Sequence, residues 1–293
     1  MPGPTQHVPV LAREILEWLR PALGQTMADG TLGGGGHTRL LAEKVGAGGL
    51  VVALDRDPAA VDEATLVLRD LPVRAVHANY SDLPEVLEQL GVESVDGIVL
   101  DLGLSSDQLA DRARGFSFHS EGPIDLRFDP TRGDPASRLI ERLSAEHLAD
   151  LIYKYGEERY SRRIARRIVE VRRRAPIDTA AELARVVRQS VPRSRDERID
   201  PATRTFQALR IAVNDELKWL EVGLRRLPGC LRPGGRMAVI SFHSLEDRMV
   251  KEAYLRDERL KIETRRPIRP SEQEIADNPR SRSAKLRVAE RVS

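Results

Sequence analysis

Between Thr26 and Asp101 the chain alternates short, unbroken apolar runs with stretches of helical periodicity, and three of the runs stop at an aspartate. Residues 26–28 end at Asp29, 50–54 at Asp55 and 95–100 at Asp101, with a fourth run at 73–76. Helical spacing fills the gaps at 38–45, closed by Gly46, and at 58–68 and 83–90. An amphipathic helix at 10–19 precedes them and stops before Pro21. Strands with no polar alternation must be covered on both faces. The pattern therefore predicts an α/β fold built on a doubly wound, parallel sheet. Ligands of such sheets lie beyond the carboxyl ends of the strands. Asp29, Asp55 and Asp101 all stand at that end, so they are the first candidates for a binding site.

The alternation lapses after Gln108. A loop at 115–133 leads into helical segments at 136–155, 158–174 and 179–191, with no strand predicted before Pro201. The α/β pattern then returns as a helix at 205–227, a Gly234-Gly235 turn, a strand at 236–240 and the run Ser241-Phe-His-Ser244. Two weaker strands, 261–264 and 284–289, close the chain. The expected organisation is a discontinuous core of residues 1–107 and 205–293, interrupted by an all-helical insert of residues 108–204.

Composition narrows the function classes. Of the 293 residues, 41% are hydrophobic and 31% charged, a globular balance that can build a core and a second unit. Aromatic residues are only 4%, so any base-stacking platform is small. Cys230 is the single cysteine, which excludes an internal disulfide or a cysteine zinc site and suits a reducing compartment. His7, His77, His119 and His147 lack metal-ligand spacing, so no metal is expected. The first ten residues show neither a basic nor an apolar signal region, and no apolar run reaches the ~18 residues of a membrane span. The expected location is cytoplasmic, with no membrane partner.

Residues 29–38, Asp-Gly-Thr-Leu-Gly-Gly-Gly-Gly-His-Thr, join the first strand to the next helix. Gly33, Gly34, Gly35 and Gly36 let the backbone turn sharply and bring main-chain N–H groups up to a ligand. A phosphate loop would continue Gly-Lys-Ser/Thr, whereas here the sequence is Gly36-His37-Thr38. A dinucleotide loop needs G-x-G-x-x-G/A, and the last position is Thr38 counted from Gly33 or Arg39 counted from Gly34. Asp55 suits a ribose diol. Asp29 and Asp101 would repel a pyrophosphate and attract a cation. S-adenosyl-L-methionine carries both an α-amino group and a sulfonium, so the charge pattern favours it.

These residues sit in a longer ordered set. It runs from His7-Val-Pro-Val-Leu11 through Asp29-Gly-Thr31 and Asp55-Arg-Asp-Pro58 to Asp101-Leu-Gly103, Ser105-Ser106 and Gln108. It continues with Arg114-Gly-Phe-Ser-Phe118, Gly122-Pro123, Asp125-Leu-Arg127, Asp129-Pro-Thr-Arg-Gly133 and Tyr155-Gly-Glu-Glu158. It closes with Ala202-Thr-Arg-Thr-Phe-Gln-Ala208, Ser241-Phe-His-Ser-Leu-Glu-Asp-Arg248 and Asn278-Pro-Arg-Ser-Arg-Ser283. In this set the chain resembles the RsmH (MraW) family, which methylates N4 of a cytosine in the decoding centre (P site) of 16S rRNA. The resemblance implies a Rossmann-like S-adenosylmethionine-dependent methyltransferase core with an inserted helical domain that meets RNA. It also implies cofactor contacts at Gly35, Gly36, His37, Asp55, Tyr80, Asp101 and Gln108. The chain departs from the family pattern in the extra Gly34 and in Tyr80, where phenylalanine is expected.

Residues 158–174 carry Arg159, Arg162, Arg163, Arg166, Arg167, Arg172, Arg173 and Arg174 around an apolar stripe of Ile164, Ile168 and Val171. Arg193, Arg195, Arg198 and Arg204 continue the basic run. Such a surface either grips RNA phosphates, which the family resemblance would place within the small ribosomal subunit, or is simply solvated. Cytosine N4 is a poor nucleophile, and the sulfonium methyl is already activated. Catalysis therefore reduces to in-line positioning and an acceptor for one N4 proton, with the base taken out of its stack. Asp101 is the first acceptor candidate, with cofactor binding as its other role, and Ser105 is the second. His243 is either a substrate contact or a buried structural histidine. Phe116, Phe118, Asp125 and Arg127 are candidates for the base pocket, the phenylalanines alternatively forming insert core. Two rival functions remain. A DNA N4-cytosine or N6-adenine methyltransferase would show a proline pair where this chain has Asp101-Leu-Gly-Leu104. A non-catalytic ribosome-assembly factor would not require an intact glycine loop with three acids.

Overall fold

The computed structural model describes residues 9–192 and 200–292. The chain divides into two compact units, Met1–Ser105 with Leu217–Ser293, and Ser106–Glu216. The first unit opens with α1 (Ala12–Leu19), β1 (Thr26–Asp29), α2 (Gly36–Val45), β2 (Leu50–Asp55), α3 (Pro58–Val67), β3 (Val73–His77), α4 (Leu83–Gln89) and β4 (Val95–Asp101). The second holds α5 (Ser106–Ala110), α6 (Ala136–Arg142), α7 (Ala145–Gly156), α8 (Ser161–Arg172), α9 (Ala180–Ser190) and α10 (Ala202–Asn214). The first resumes with α11 (Glu216–Arg226), β5 (Leu231–Ser241), α12 (Ser244–Arg256), β6 (Leu260–Ile262), α13 (Glu272–Asp277) and β7 (Lys285–Arg291).

The seven strands form one sheet in the order β3-β2-β1-β4-β5-β7-β6. The first five are parallel, β7 runs antiparallel to β5, and β6 runs antiparallel to β7. The chain steps outward from β1 to β3, then returns to the other side of β1 to lay down β4. The order therefore reverses between β1 and β4, the place where doubly wound sheets bind their ligands. Asp29 and Asp101 end these two strands, and Asp55 ends the neighbouring β2.

Successive strand residues point to opposite faces, and both faces are covered. Val52, Leu54, Ile98, Leu100 and Val239 pack with Leu83 and Leu87 of α4, Leu220 and Leu224 of α11 and Val250 of α12. Val51, Val99, Ala238 and Ile240 pack with Ile15 and Leu19 of α1 and Leu41 and Val45 of α2. The unbroken apolar runs of the sequence are thus strands buried on both sides. No helix among the described residues is long and apolar enough to cross a membrane.

Two predicted helices turn out to be four. The span 136–155 breaks between α6 and α7, where the Ser144 hydroxyl accepts from the His147 N–H at 3.2 Å and caps the new helix. The span 205–227 breaks at Asp215, which takes a left-handed conformation (φ 50°) between α10 and α11. Its neighbour Asn214 locks α10 into the second unit: Nδ2 donates to Leu126 O at 2.6 Å and Oδ1 accepts from Phe128 N at 2.7 Å. The second unit accordingly reaches Glu216, beyond the boundary at 204 drawn from periodicity. Its core gathers Leu148 and Ile152 of α7, Ile164 and Ile168 of α8, Leu183 and Val187 of α9, and Leu209 of α10, all buried.

Candidate active site

The three aspartates at the strand tips do different jobs. Asp29 is 1% exposed and stitches the glycine loop at both ends. Its Oδ1 accepts from the Thr31 N–H (3.0 Å) and hydroxyl (3.3 Å), and its Oδ2 from the Thr38 hydroxyl (2.7 Å). The Thr31 hydroxyl in turn accepts from the Asp101 N–H at 2.6 Å, joining the tips of β1 and β4. Asp55 holds the middle of the loop: Oδ2 accepts from Gly33 N–H at 2.7 Å and Oδ1 from Asp57 N–H at 2.9 Å.

The turn depends on two glycines with positive φ, Gly33 at 47° and Gly35 at 78°. A side chain would be strained at either. Gly35 is also the N-cap of α2, and no side chain caps that helix. The first-turn N–H groups of α2, which follows β1 through this turn, have no intrahelical acceptor.

Burial pushes the Asp29 carboxyl above its ordinary range, although His37, Thr38 and Thr31 pull it down. Burial likewise pushes Asp55 up to about 6, against the pull of the Asp57 and Gly33 N–H groups and with help from the charges of Asp57 and Asp29. For His37, burial opposes the imidazolium, but the close carboxylate of Asp101, with the charges of Asp29 and Glu274, holds it above the ordinary histidine value. Burial thus disfavours the ionised carboxylates at this edge, and a bound cation would favour them.

His37 lies in the first turn of α2, 5% exposed, with Nε2 3.6 Å from Asp101 Oδ2. Neither ring nitrogen has a hydrogen-bond partner among the described residues, and the buried Oδ1 of Asp101 has none either. Ser105 reaches the glycine turn, since a methyl on Gly33 would stand 3.4 Å from its Cβ. Tyr80 follows β3 in a short turn, its half-buried ring against α11, where a methyl on Gly223 would come within 2.8 Å of Cε2.

His243 is a helix cap. Its Nδ1 accepts from the Glu246 N–H at 3.4 Å, while Glu246 Oε2 accepts from the N–H groups of Phe242 (2.9 Å) and His243 (3.4 Å). Its Nε2 lies 3.1 Å from Glu246 Oε1. Together His243 and Glu246 form a reciprocal capping box that starts α12.

The structure thus brings together Asp29, Gly33, Gly34, Gly35, Gly36, His37, Asp55, Tyr80, Asp101 and Ser105 at the carboxyl edge of the first unit. Gln108, buried in α5, belongs to the second unit, as do all the RNA-facing candidates. There Phe116 is buried and stacks on Phe128 at 5.8 Å, so it serves the core. Phe118 is half-buried, edge-on to Phe206 at 6.1 Å. Asp125 and Arg127 clasp each other, Nε to Oδ1 at 2.8 Å and Nη2 to Oδ2 at 2.7 Å, and Arg127 Nη1 donates to Gly133 O at 2.9 Å. Burial raises the Asp125 carboxyl, but Arg127 more than offsets this and holds it below its usual range. On α8, Arg162, Arg163 and Arg166 are exposed with no acidic partner among the described residues, whereas Arg167 pairs with Glu170 at 2.9 Å. His7, Arg193, Arg195 and Arg198 lie outside the described residues.

Sequence reasoning missed Thr31, Thr38 and Glu274. The threonines flank the glycines and carry no signal beyond their hydroxyls. Glu274 sits on α13, which periodicity did not reveal, and its Oε1 accepts from Leu11 N–H at 2.7 Å.

The sequence matches the MraW methylase family over residues 4–292. It is 52% identical to a Ribosomal RNA small subunit methyltransferase H of Rhodopirellula baltica, over 98% of this chain and 92% of that protein. The protein of that name from Deinococcus radiodurans is 52% identical over 100% of this chain and 92% of its own length. The one from Thermomicrobium roseum is 49% identical over 100% and 95%. Among solved structures, a putative rRNA-methylase from Clostridium thermocellum overlays with a TM-score of 0.48 at 14% identity, covering 96% of this chain and 95% of that one, too loose a likeness to carry an argument about the site. The chain belongs to the MraW methylase family.

Proposed function

We propose that this chain transfers a methyl group from S-adenosylmethionine to the exocyclic N4 of a cytosine in the decoding centre (P site) of 16S rRNA, acting in the cytoplasm. The observation that carries the reading is the set of three carboxylates, Asp29, Asp55 and Asp101, on adjacent strand tips around an uncapped helix start.

The residues fit the cofactor. The glycine turn at Gly33 and Gly35 leaves room for close approach, Asp55 can accept from a ribose diol, and the buried Oδ1 of Asp101 lacks a donor. Tyr80 supplies an aromatic wall near the tip of β3. When bound, adenosylmethionine supplies an electrophilic methyl on a sulfonium. The protein orients the two reactants in line, excludes water and removes one proton from N4. Asp101 is the acceptor at its unbonded oxygen, and Ser105, which reaches the glycine turn, holds the base. The second unit, with its boundaries at 106 and 216, grips the RNA. Within that unit Arg162, Arg163 and Arg166 bind phosphates and Phe118 stacks on the RNA.

The test is methyl transfer from labelled adenosylmethionine to three substrates: small ribosomal subunits lacking the modification, the free 16S rRNA, and DNA. Label on a single cytosine of the small-subunit RNA supports the proposal. Label on DNA alone points to a DNA methyltransferase, and no transfer to any substrate, with RNA still bound, points to an assembly factor.

A further inference from the structure

His37 is an odd residue to bury. Its ring is 5% exposed, yet neither nitrogen has a hydrogen-bond partner among the described residues. A buried polar group without a partner costs free energy unless something offsets it. Three carboxylates face it from three separate elements: Asp29 from β1, Asp101 from β4 and Glu274 from α13. Asp29 is already bonded to Thr31 and Thr38, and Glu274 to the Leu11 N–H. Asp55, at the tip of β2, is engaged with Gly33 and Asp57. Asp101 is the one with an oxygen, Oδ2, 3.6 Å from His37 Nε2, and with its other oxygen buried and unbonded.

We propose that His37 is a positioning residue: as an imidazolium it draws in Oδ2 of Asp101 and so aims Oδ1 at the proton that leaves the target amine. The inference rests on the adenosylmethionine reading of this site. As the nitrogen lone pair forms the new N–C bond, the S–CH3 bonding pair stays on sulfur. The N–H bonding pair stays on nitrogen, and the proton passes to Asp101 Oδ1. The imidazolium fixes the rotamer of Asp101, with Oδ2 held toward Nε2 and Oδ1 left unbonded.

The direction of the His37 shift agrees with this role, since the carboxylates hold its charged form above the ordinary value of 6.5. A required imidazolium is present below that raised value and lost as pH rises through it. Activity of the wild type should therefore fall on the alkaline side of that value.

The test combines nuclear magnetic resonance with kinetics. In the ligand-free wild type, the His37 ring resonance should titrate above 6.5, and Asp101→Asn should lower its midpoint. His37→Gln should cut kcat by about 100-fold and abolish the alkaline limb of the pH profile. A ring that titrates below the ordinary value, or a midpoint that ignores Asp101→Asn, overturns the proposal, and both are read without an active His37 variant. S-adenosylhomocysteine binding by calorimetry separates the two levels. A wild type that does not bind it overturns the cofactor reading and this inference together. A wild type that binds it but whose His37 ignores Asp101 overturns the inference alone.

Discussion

The backbone N–H of Gly33 donates to Oδ2 of Asp55 at 2.7 Å, so the glycine turn after β1 is tied to the tip of the neighbouring strand. One carboxylate therefore shapes the loop and faces the ligand edge. Burial raises Asp55 to about 6 from 3.8. A raised acid contributes stability that is fully present below its ordinary value and lost as pH rises through the folded value. Against Asp55→Asn, the ligand-free wild type should lose stability between pH 3.8 and about 6. Urea denaturation of both proteins across that window checks it; a constant difference would mean that Asp55 does not titrate there. Affinity for S-adenosylhomocysteine should rise over the same window, because the ionised carboxylate is the better acceptor for a diol.

Thr38 is the sole donor to Oδ2 of the buried Asp29 among the described residues. Thr38→Val removes it and leaves the oxygen buried, which should cost about 1–3 kcal/mol in chemical denaturation. Thr38→Ser should restore most of that. Equal stability for the valine and serine variants would show that the stitch is not energetically significant.

Gly35 sits at φ 78°, with Leu68 Cδ1 3.2 Å from where a Cβ would lie. Gly35→Ala should cost about 1–2 kcal/mol for the left-handed backbone alone, with cofactor affinity falling too. Gly48, with nothing within 4 Å, is the matched control, and its alanine variant should melt like the wild type.

Arg162, Arg163 and Arg166 are exposed on α8. Replacing all three with alanine should weaken rRNA binding and reduce the slope of log affinity against log salt by about 2–3, at roughly 0.7–0.9 for each phosphate no longer neutralised. S-adenosylhomocysteine binding should not change. An unaltered salt slope would return these arginines to the solvated-face reading.

Strand positions were legible because strands buried on both faces leave an unbroken apolar run, and the aspartate after three of the runs marked the ligand edge. The helix breaks at Ser144 and Asp215 were not. Ser144 reads as an ordinary polar residue until its hydroxyl is seen to cap α7, and the left-handed Asp215 carries no glycine or proline to announce it. The same limit applies to the site. Asp29 was legible as an acid at a strand tip, but its bonds to Thr31 and Thr38 are tertiary, as is the approach of His37 to Asp101. His243 was ambiguous because the same imidazole can meet a substrate or cap a helix, and its capping shows only in the 3.4 Å bond from Glu246 N–H.

The most direct test of the whole account is calorimetric titration of the purified protein with S-adenosylhomocysteine, beside a nicotinamide dinucleotide. The account predicts one-site uptake of the nucleoside, weakened strongly in Asp55→Ala, and no uptake of the dinucleotide. Binding of the dinucleotide with none of the nucleoside would contradict it.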